Sequence, residues 1–519
     1  MVRILCTLWL LLQGSVLFSQ EPIEWGELTP IRGAATGIIP RDGSNFFTTR
    51  WTGGLFGTMF LGKHEHFVLT KTGKIQTVVG KNIVTFEAVG SINGQIIVFL
   101  SDKQAGKHTL YMQRYDSLCQ PSGVAEVMAE YELPRNWRKS GSFNITYSQN
   151  GSFMCVEYDV PNLKDDKQEF GYTVFTDQLA VFSTGNYEPP YELNAFEVSN
   201  RYLSNTGDYF IACKVFNVSE NGRVKDNSTL EKAVVLHVTA SGLNSFDVDL
   251  DGKRIFDLGF SSDNNRLMTF TGLYGDPDKA SFGIKGIFYF RLDFDKKQII
   301  DSGFEPFSVD FITEHWTEKE RQKAQRNDNQ GKFAPQLYNY DIRQTVTLAD
   351  GSIVGLLEQY YIQQVSSPEP RSNAGSFTFY YYYNNLIAYK IQPNGTFEWV
   401  KTIPKFQASA NDYGYYSSVA HYITDDKMVL FFNDNLKNYD AKGNWNQSVF
   451  QTSYSKRTNT VARVEVDLKS GEVERKTFFE RSDTKGLAVP KLFQTDYKNR
   501  QLILLLIFGK KEKYGILNF

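Results

Sequence analysis

Short apolar runs, each broken by a polar cluster, recur from one end of this chain to the other. In "TLADGSIVGLLEQYY", residues 347–361, an Asp-Gly pair sits between two such runs. That is the pattern of two strands joined by a tight turn. The same punctuation returns at Asp42, Asn93, Asn150, Thr206, Asn264, Asp350, Asp426 and Asn499. These positions lie about 50–60 residues apart as far as Asn264 and about 70–90 apart thereafter. Each cluster supplies positive φ or a side-chain-stabilised turn at little cost. The run after the turn is the most apolar of its unit, as expected for a strand covered on both faces.

Between these hairpins lie second strand pairs with weaker alternation: residues 66–79, 172–183, 234–250, 287–300, 386–400 and 461–478. Two hairpins per unit make four strands. Four-stranded antiparallel sheets in tandem predict an all-β fold, a β-propeller. Eight blades are favoured, with seven as the alternative. The last unit, "QLILLLIFGKKEKYGILNF", stops after a third strand, and "EPIEWGELTPI" near the N-terminus can supply the fourth. Residues 20–519 are therefore expected to form one domain closed by its own ends.

The wider spacing in the second half predicts insertions near 305–335, 363–378 and 405–418. In the first, Thr317 and Glu320 have capping-box spacing, which fits a short surface helix; a solvated loop is the alternative. Long loops on a rigid scaffold are where binding concentrates.

Composition adds the compartment. Residues 1–19, "MVRILCTLWLLLQGSVLFS", carry one cation and then an apolar run too short to span a bilayer. They read as an export signal cut before Gln20, giving a periplasmic, cell-surface or secreted protein. The later run "LILLLIF" has strand length, so no membrane-spanning segment is expected. Three cysteines follow the signal, Cys119, Cys155 and Cys213. Two of them sit in apolar runs, and the sparse, odd set argues against a disulfide framework. With a net charge of −2 and no long basic stripe, the chain is not expected to bind nucleic acid. Aromatics reach 15%, in keeping with strands.

"YSQNGSFMCVEYD" and "FSSDNNRLMTFTG" resemble the inner hairpins of TolB-like propeller repeats, and "GYTVFTDQLAVFSTGNYEPPYE" is similar to the outer pair that follows them. The signal, the turn pattern and the ending "EKYGILNF" also resemble large exported propeller proteins of Bacteroidota type. The resemblance covers residues 140–300 best. It implies a propeller scaffold and often a protein partner, and it transfers no catalytic residue.

Candidate chemistry is sparse. "DVDLDG" sets Asp247, Asp249 and Asp251 at the alternate positions of a calcium loop, but its twelfth position is Leu258 rather than Glu. A strand ending in an Asp-Gly turn is the plainer reading. His64 and His66 in "HEH" fall on one face of a strand, without partners that would make a metal site. No nucleotide-binding glycine pattern, nucleophile elbow or zinc signature is present, and no cofactor is expected. Glu358, Asn433, Asp434 and Asn435 follow apolar second strands, where several blades can converge near one mouth of the channel. His421, Tyr360, Tyr361 and the tyrosines of "FYYYYNN" can join them as a surface for a protein or carbohydrate ligand. Cross-strand aromatic pairing is the structural reading of the same residues.

Three classes of function follow. The first is an exported, non-catalytic propeller that binds a protein or glycan. The second is an exported hydrolase or lyase with Glu358 and Asp434 at the channel mouth. The third is an outer-membrane barrel, suggested by Phe519 and the many aromatics, although second strands apolar on both faces speak against it. Substrate and oligomeric state do not follow from the sequence.

Overall fold

A computed structural model describes residues 23–519 apart from 32, 43, 54–57, 76–77, 80–81, 84, 134–140, 149, 161–167, 193–194, 217–229, 249–251, 263–266, 277–282, 294, 333–334 and 368–375. Residues 1–19, expected to be an export signal, and Asp249 and Asp251 of the calcium-loop candidate lie outside the described residues.

The hairpins form where their turns demand them. Asn93 and Gly94 both take positive φ, +47° and +72°, so the two-residue turn twists with its strands and Ile92 pairs with Gln95. At the Asp350-Gly351 turn, the Asp350 carboxylate accepts the backbone N–H and hydroxyl of Ser352 at 2.8 and 2.5 Å.

Eight antiparallel sheets result, of four strands or more, at residues 34–74, 85–132, 143–187, 196–248, 254–306, 340–403, 420–480 and 487–518. The eighth is completed by the N-terminus, since Glu24–Trp25 and Thr29–Pro30 pair with Lys511–Asn518 and Trp25 faces Gly515. Ring closure by both ends is thus visible in one sheet. The separate sheets replace the barrel reading, because the strands do not join into one cylinder. No described helix is long and apolar enough to cross a membrane.

One apolar cluster fills each junction between consecutive blades, and the eighth junction joins blade eight to blade one. This explains the two-faced second strands. In "QLILLLIF", Leu502, Leu504 and Leu506 pack towards blade seven, whereas Ile503 and Leu505 pack towards blade one. The strand period of two sends alternate side chains into different interfaces. Burial of these side chains, at about 25 cal/mol per Å², is the main force holding the ring. Cys119, Cys155 and Cys213 are buried free thiols within the same clusters.

Strands alternate in direction, so connections after second and fourth strands emerge on one face of the ring. All three insertions follow such strands and meet on that face. The first folds as two helices, α1 (Val309–Thr313) and α2 (Glu318–Asn329). The Thr317–Glu320 capping box is present at the start of α2, so the helix prevails over the loop. The described parts of 363–378 are not loop but strand, which lengthens the second and third strands of blade six. Within 405–418, Gln407–Ala410 adds a fifth strand to that sheet.

Residues 66–79 differ from expectation. The turn falls at His66 and Phe67, with φ of +47° and +66°, and Val68–Lys74 is one strand. His64 and His66 therefore do not share a strand face. His64 is buried, stacked on Phe46 at 4.5 Å. His66 lies in the turn, where its Nδ1 meets the Ser44 hydroxyl at 3.3 Å.

Candidate binding face on blade six

The second strand of blade six, Ile353–Ser367, and the third, Ser376–Ile391, are about twice as long as typical blade strands. Beyond the blade they continue as a hairpin extension, paired from Tyr360 with Tyr383 to Ser367 with Ser376. The pleat sorts its side chains. One face carries Tyr360, Tyr383, Ile362, Tyr381, Phe379 and Phe377; the other carries Tyr361, Tyr382, Tyr380 and Val365. Ile362, Phe377 and Tyr413 are 50%, 55% and 78% exposed, and Tyr413 lies 5.8 Å from Tyr381, ring to ring. Tyr361 stacks on Tyr382 at 4.6 Å, and Tyr360 meets Tyr383 at 4.6 Å. The Lys491 ammonium donates to the Tyr383 hydroxyl at 3.0 Å.

The added strand Gln407–Ala410 braces this extension against Tyr380–Tyr383. Asn411 fastens its far end. The backbone N–H of Asn411 donates to the Phe379 carbonyl at 2.9 Å, and its side-chain oxygen accepts the Phe379 N–H at 3.0 Å.

The polar residues sit beneath, at the root. Glu358 has no exposed area. It accepts Arg343 Nε at 2.8 Å, Lys405 Nζ at 2.7 Å and the Ser418 hydroxyl at 2.6 Å. Lys405 also donates to the Tyr383 carbonyl at 2.9 Å and to Gln407 Oε1 at 3.1 Å. Complete burial pushes the Lys405 pKa down, and the Glu358 charge opposes that. Gln407 Nε2 donates to the Asn433 carbonyl at 2.8 Å, and Asn433 Nδ2 donates to the carbonyls of Tyr416 and Ala488, both at 2.8 Å. Asp434 is equally enclosed. It accepts the Tyr439 hydroxyl at 2.5 Å, Asn438 Nδ2 at 2.8 Å and the Arg475 guanidinium. Asn435 Nδ2 donates to the Gln451 carbonyl at 2.8 Å. Buried charges persist when paired and hydrogen-bonded in this way. The network ties the 405–418 segment to blades six, seven and eight.

The sequence candidates thus divide. Tyr360 and Tyr361 lie on the extension; Glu358, Asn433, Asp434 and Asn435 lie in the buried network that supports it. His421 stands on the first strand of blade seven, half-buried, and desolvation draws its pKa down to about 4. Asp247 pairs with Lys232 at 2.7 Å. No group of three or more metal-ligating side chains occurs among the described residues. Sequence reasoning did not single out Lys405, Gln407, Ser418 and Arg475. The one available signal is a lone lysine within the otherwise apolar "TIPKF".

No family model matches the chain, and no curated protein matches it either. Several solved structures are similar. The β-propeller domain of the Trilobed protease from Pyrococcus furiosus is 10% identical, with a TM-score of 0.32, covering 72% of this chain and 97% of that one. A prolyl endopeptidase is 9% identical with a TM-score of 0.29; the match spans 82% of this chain but 54% of the peptidase. The Synechocystis apocarotenoid oxygenase is 9% identical, with a TM-score of 0.33, covering 88% of this chain and 93% of that one. The activities of these proteins are theirs alone.

Proposed function

We propose that this chain is an exported, non-catalytic propeller that binds a protein or glycan partner through the aromatic extension of blade six. One observation carries the reading: exposed Ile362, Phe377 and Phe379 stand on a β-hairpin braced by Gln407–Ala410, with exposed Tyr413 beside it, rather than on a loose loop. Rigid aromatic side chains lose little entropy on binding and bury much area. The resemblance to TolB-like repeats supports a protein partner. The alternative, a hydrolase or lyase using Glu358 and Asp434, has weaker support, since each carboxylate is at most 1% exposed and engaged by cations.

The test compares the wild type with Phe377→Ala/Phe379→Ala and Tyr361→Ala/Tyr382→Ala. Binding is read on a glycan array and against exported proteins of the producing cell. A ligand that binds the wild type and weakens at least tenfold on either variant, with unchanged thermal unfolding, supports the reading. Ligands indifferent to both variants overturn it. Recovery of the expressed protein outside the cytoplasm, with Gln20 as its first residue, tests export.

A further inference from the structure

The extension also has an open edge. The first strand of blade six begins at Tyr340, which pairs with Gln359. The last bond on that side runs from the Tyr360 N–H to the Asn339 carbonyl at 2.8 Å. Beyond it, residues 361–367 continue as a strand whose backbone partner, among the described residues, is the third strand alone. The Tyr360 bond sets the phase. With a period of two, the N–H and C=O groups of Ile362, Gln364 and Ser366 face outward, and those of Tyr361, Gln363 and Val365 face the third strand.

Folded proteins blunt open edges with charge, proline or bulges. The outer strand of blade seven, "VERKTFFE", does so with charge, and that of blade two, "PSGVAEVMAEYE", with proline and three glutamates. The edge "YYIQQVSS", Tyr360–Ser367, contains neither charge nor proline. Its pairing shows no register shift beyond Tyr360. Ile362 and Val365 on it are 50% and 37% exposed.

We propose that this edge receives an extended segment of a partner polypeptide as an added β-strand. The inference rests on the blade-six reading and narrows its partner to protein. A peptide repeats its donors and acceptors every second residue, about 6.6–6.8 Å, which matches the outward groups of Ile362, Gln364 and Ser366; a glycan has no such repeat. Main-chain bonds supply the affinity and alternate side chains the selectivity. The segment is uncharged, because residues 361–367 and 376–382 offer it no countercharge, and it is apolar beside Ile362 on one face and beside Val365 on the other. Two copies of this chain pairing edge to edge would share only about seven residues a side, against the roughly 20–30 a side of a stable interface.

The experiment selects a randomised dodecapeptide library on the full chain. The recovered peptides are then measured against wild type, Gln364→Pro and Ile362→Pro. Each proline removes one outward N–H and leaves the inner ladder whole. The same peptides N-methylated at alternate residues test the bond pattern on unaltered protein, so misfolding of a variant cannot obscure the answer. The expected result has three parts: at least tenfold weaker binding to both proline variants, loss on N-methylation in one register only, and slowed amide exchange at Ile362 and Gln364 in the complex. No enriched peptide, or peptides that bind the proline variants and both N-methyl registers equally, overturns the proposal. A dimer abolished by Gln364→Pro, with no peptide bound, also overturns it and assigns the edge to a second copy. If glycans bind and weaken on Tyr361→Ala/Tyr382→Ala while no edge-dependent peptide appears, strand addition fails and the binding-face reading stands.

Discussion

Arg50 and Glu512, 462 positions apart, form an ion pair with no exposed side-chain area: Nη2 donates to Oε2 at 2.8 Å and Nη1 lies 2.8 Å from Oε1. Arg50 also donates to the Tyr514 hydroxyl at 3.3 Å and to the Gly33 carbonyl at 2.9 Å. The pair spans the junction where blade eight meets blade one. Removing one partner strands a buried charge, so Arg50→Met is expected to cost about 3–5 kcal/mol in reversible denaturant unfolding. Arg50→Met/Glu512→Leu should recover most of that.

The pH dependence of Arg50→Met follows from the same pair. Burial raises the Glu512 pKa above 4.5 and Arg50 pulls it back. Without Arg50 the folded-state value rises further above the unfolded one. Stability is then fullest in acid and is lost as pH rises through the raised value. The Arg50→Met deficit should shrink at low pH. A deficit independent of pH would contradict this.

Lys405 makes the reverse case at the root of the extension. Lys405→Met leaves the Glu358 carboxylate buried beside Arg343 and Ser418 and frees the Tyr383 carbonyl. A loss of about 3 kcal/mol is expected, with faster amide exchange in Gln407–Ala410. Glu358→Gln leaves both the buried Lys405 ammonium and Arg343 without their countercharge and should cost at least as much. A much smaller loss for Glu358→Gln would show that Lys405 acts through packing alone.

Two histidines predict acid sensitivity. Burial, with the Arg50 charge, lowers the His64 pKa to about 3, and burial lowers that of His421 to about 4. The unfolded chain takes up these protons near pH 6.5 and the folded chain does not. Stability is therefore complete above pH 6.5 and falls as pH drops towards 4, by about 3 kcal/mol for each histidine. His421→Gln should flatten the melting-temperature profile over that range; an unchanged profile would exclude His421 as its source.

Trp25 covers Gly515 so closely that a Cβ at 515 would lie 2.5 Å from its ring. Trp25 also packs edge-on to Phe479 at 5.8 Å. Gly515→Val should displace the N-terminal strand and lower stability by about 2 kcal/mol or more, and Trp25→Ala by about 2–3 kcal/mol, since the ring is only partly buried. Thermal unfolding of both variants measures this.

The ring was legible in the chain because its turns and two-faced strands are local signals. Asn93-Gly94 and "LILLLIF" each announce their structure within ten residues. Residues 66–79 were harder: "TKTGK" has turn composition, yet the bend falls at His66 and Phe67, residues that rarely take positive φ. The long strands of blade six hide in the sequence because residues 368–375, between Ser367 and Ser376, have loop composition. The buried network was illegible for another reason. Lys405 meets Glu358 beside blade six and Arg475 meets Asp434 within blade seven only once segments 47 and 41 residues apart have come together, and pairing between distant residues leaves no period in a sequence. Glu358 and Asp434 stood out as polar residues after apolar strands, but whether such residues face water or a buried cation is decided by the neighbouring segment.

The shared sheet of blade eight sets an order on biosynthesis. Trp25 leaves the ribosome early and its partners Phe479 and Gly515 follow only near the end of synthesis, and Ala35, Ile38 and Phe46 of blade one keep one apolar flank uncovered through most of translation. Closing the ring brings together two ends separated by nearly the whole chain, and the entropic cost of such a closure grows with the flexible length between them. Any factor that holds either end aside, whether a fusion or a bound chaperone, would keep the molecule an open arc.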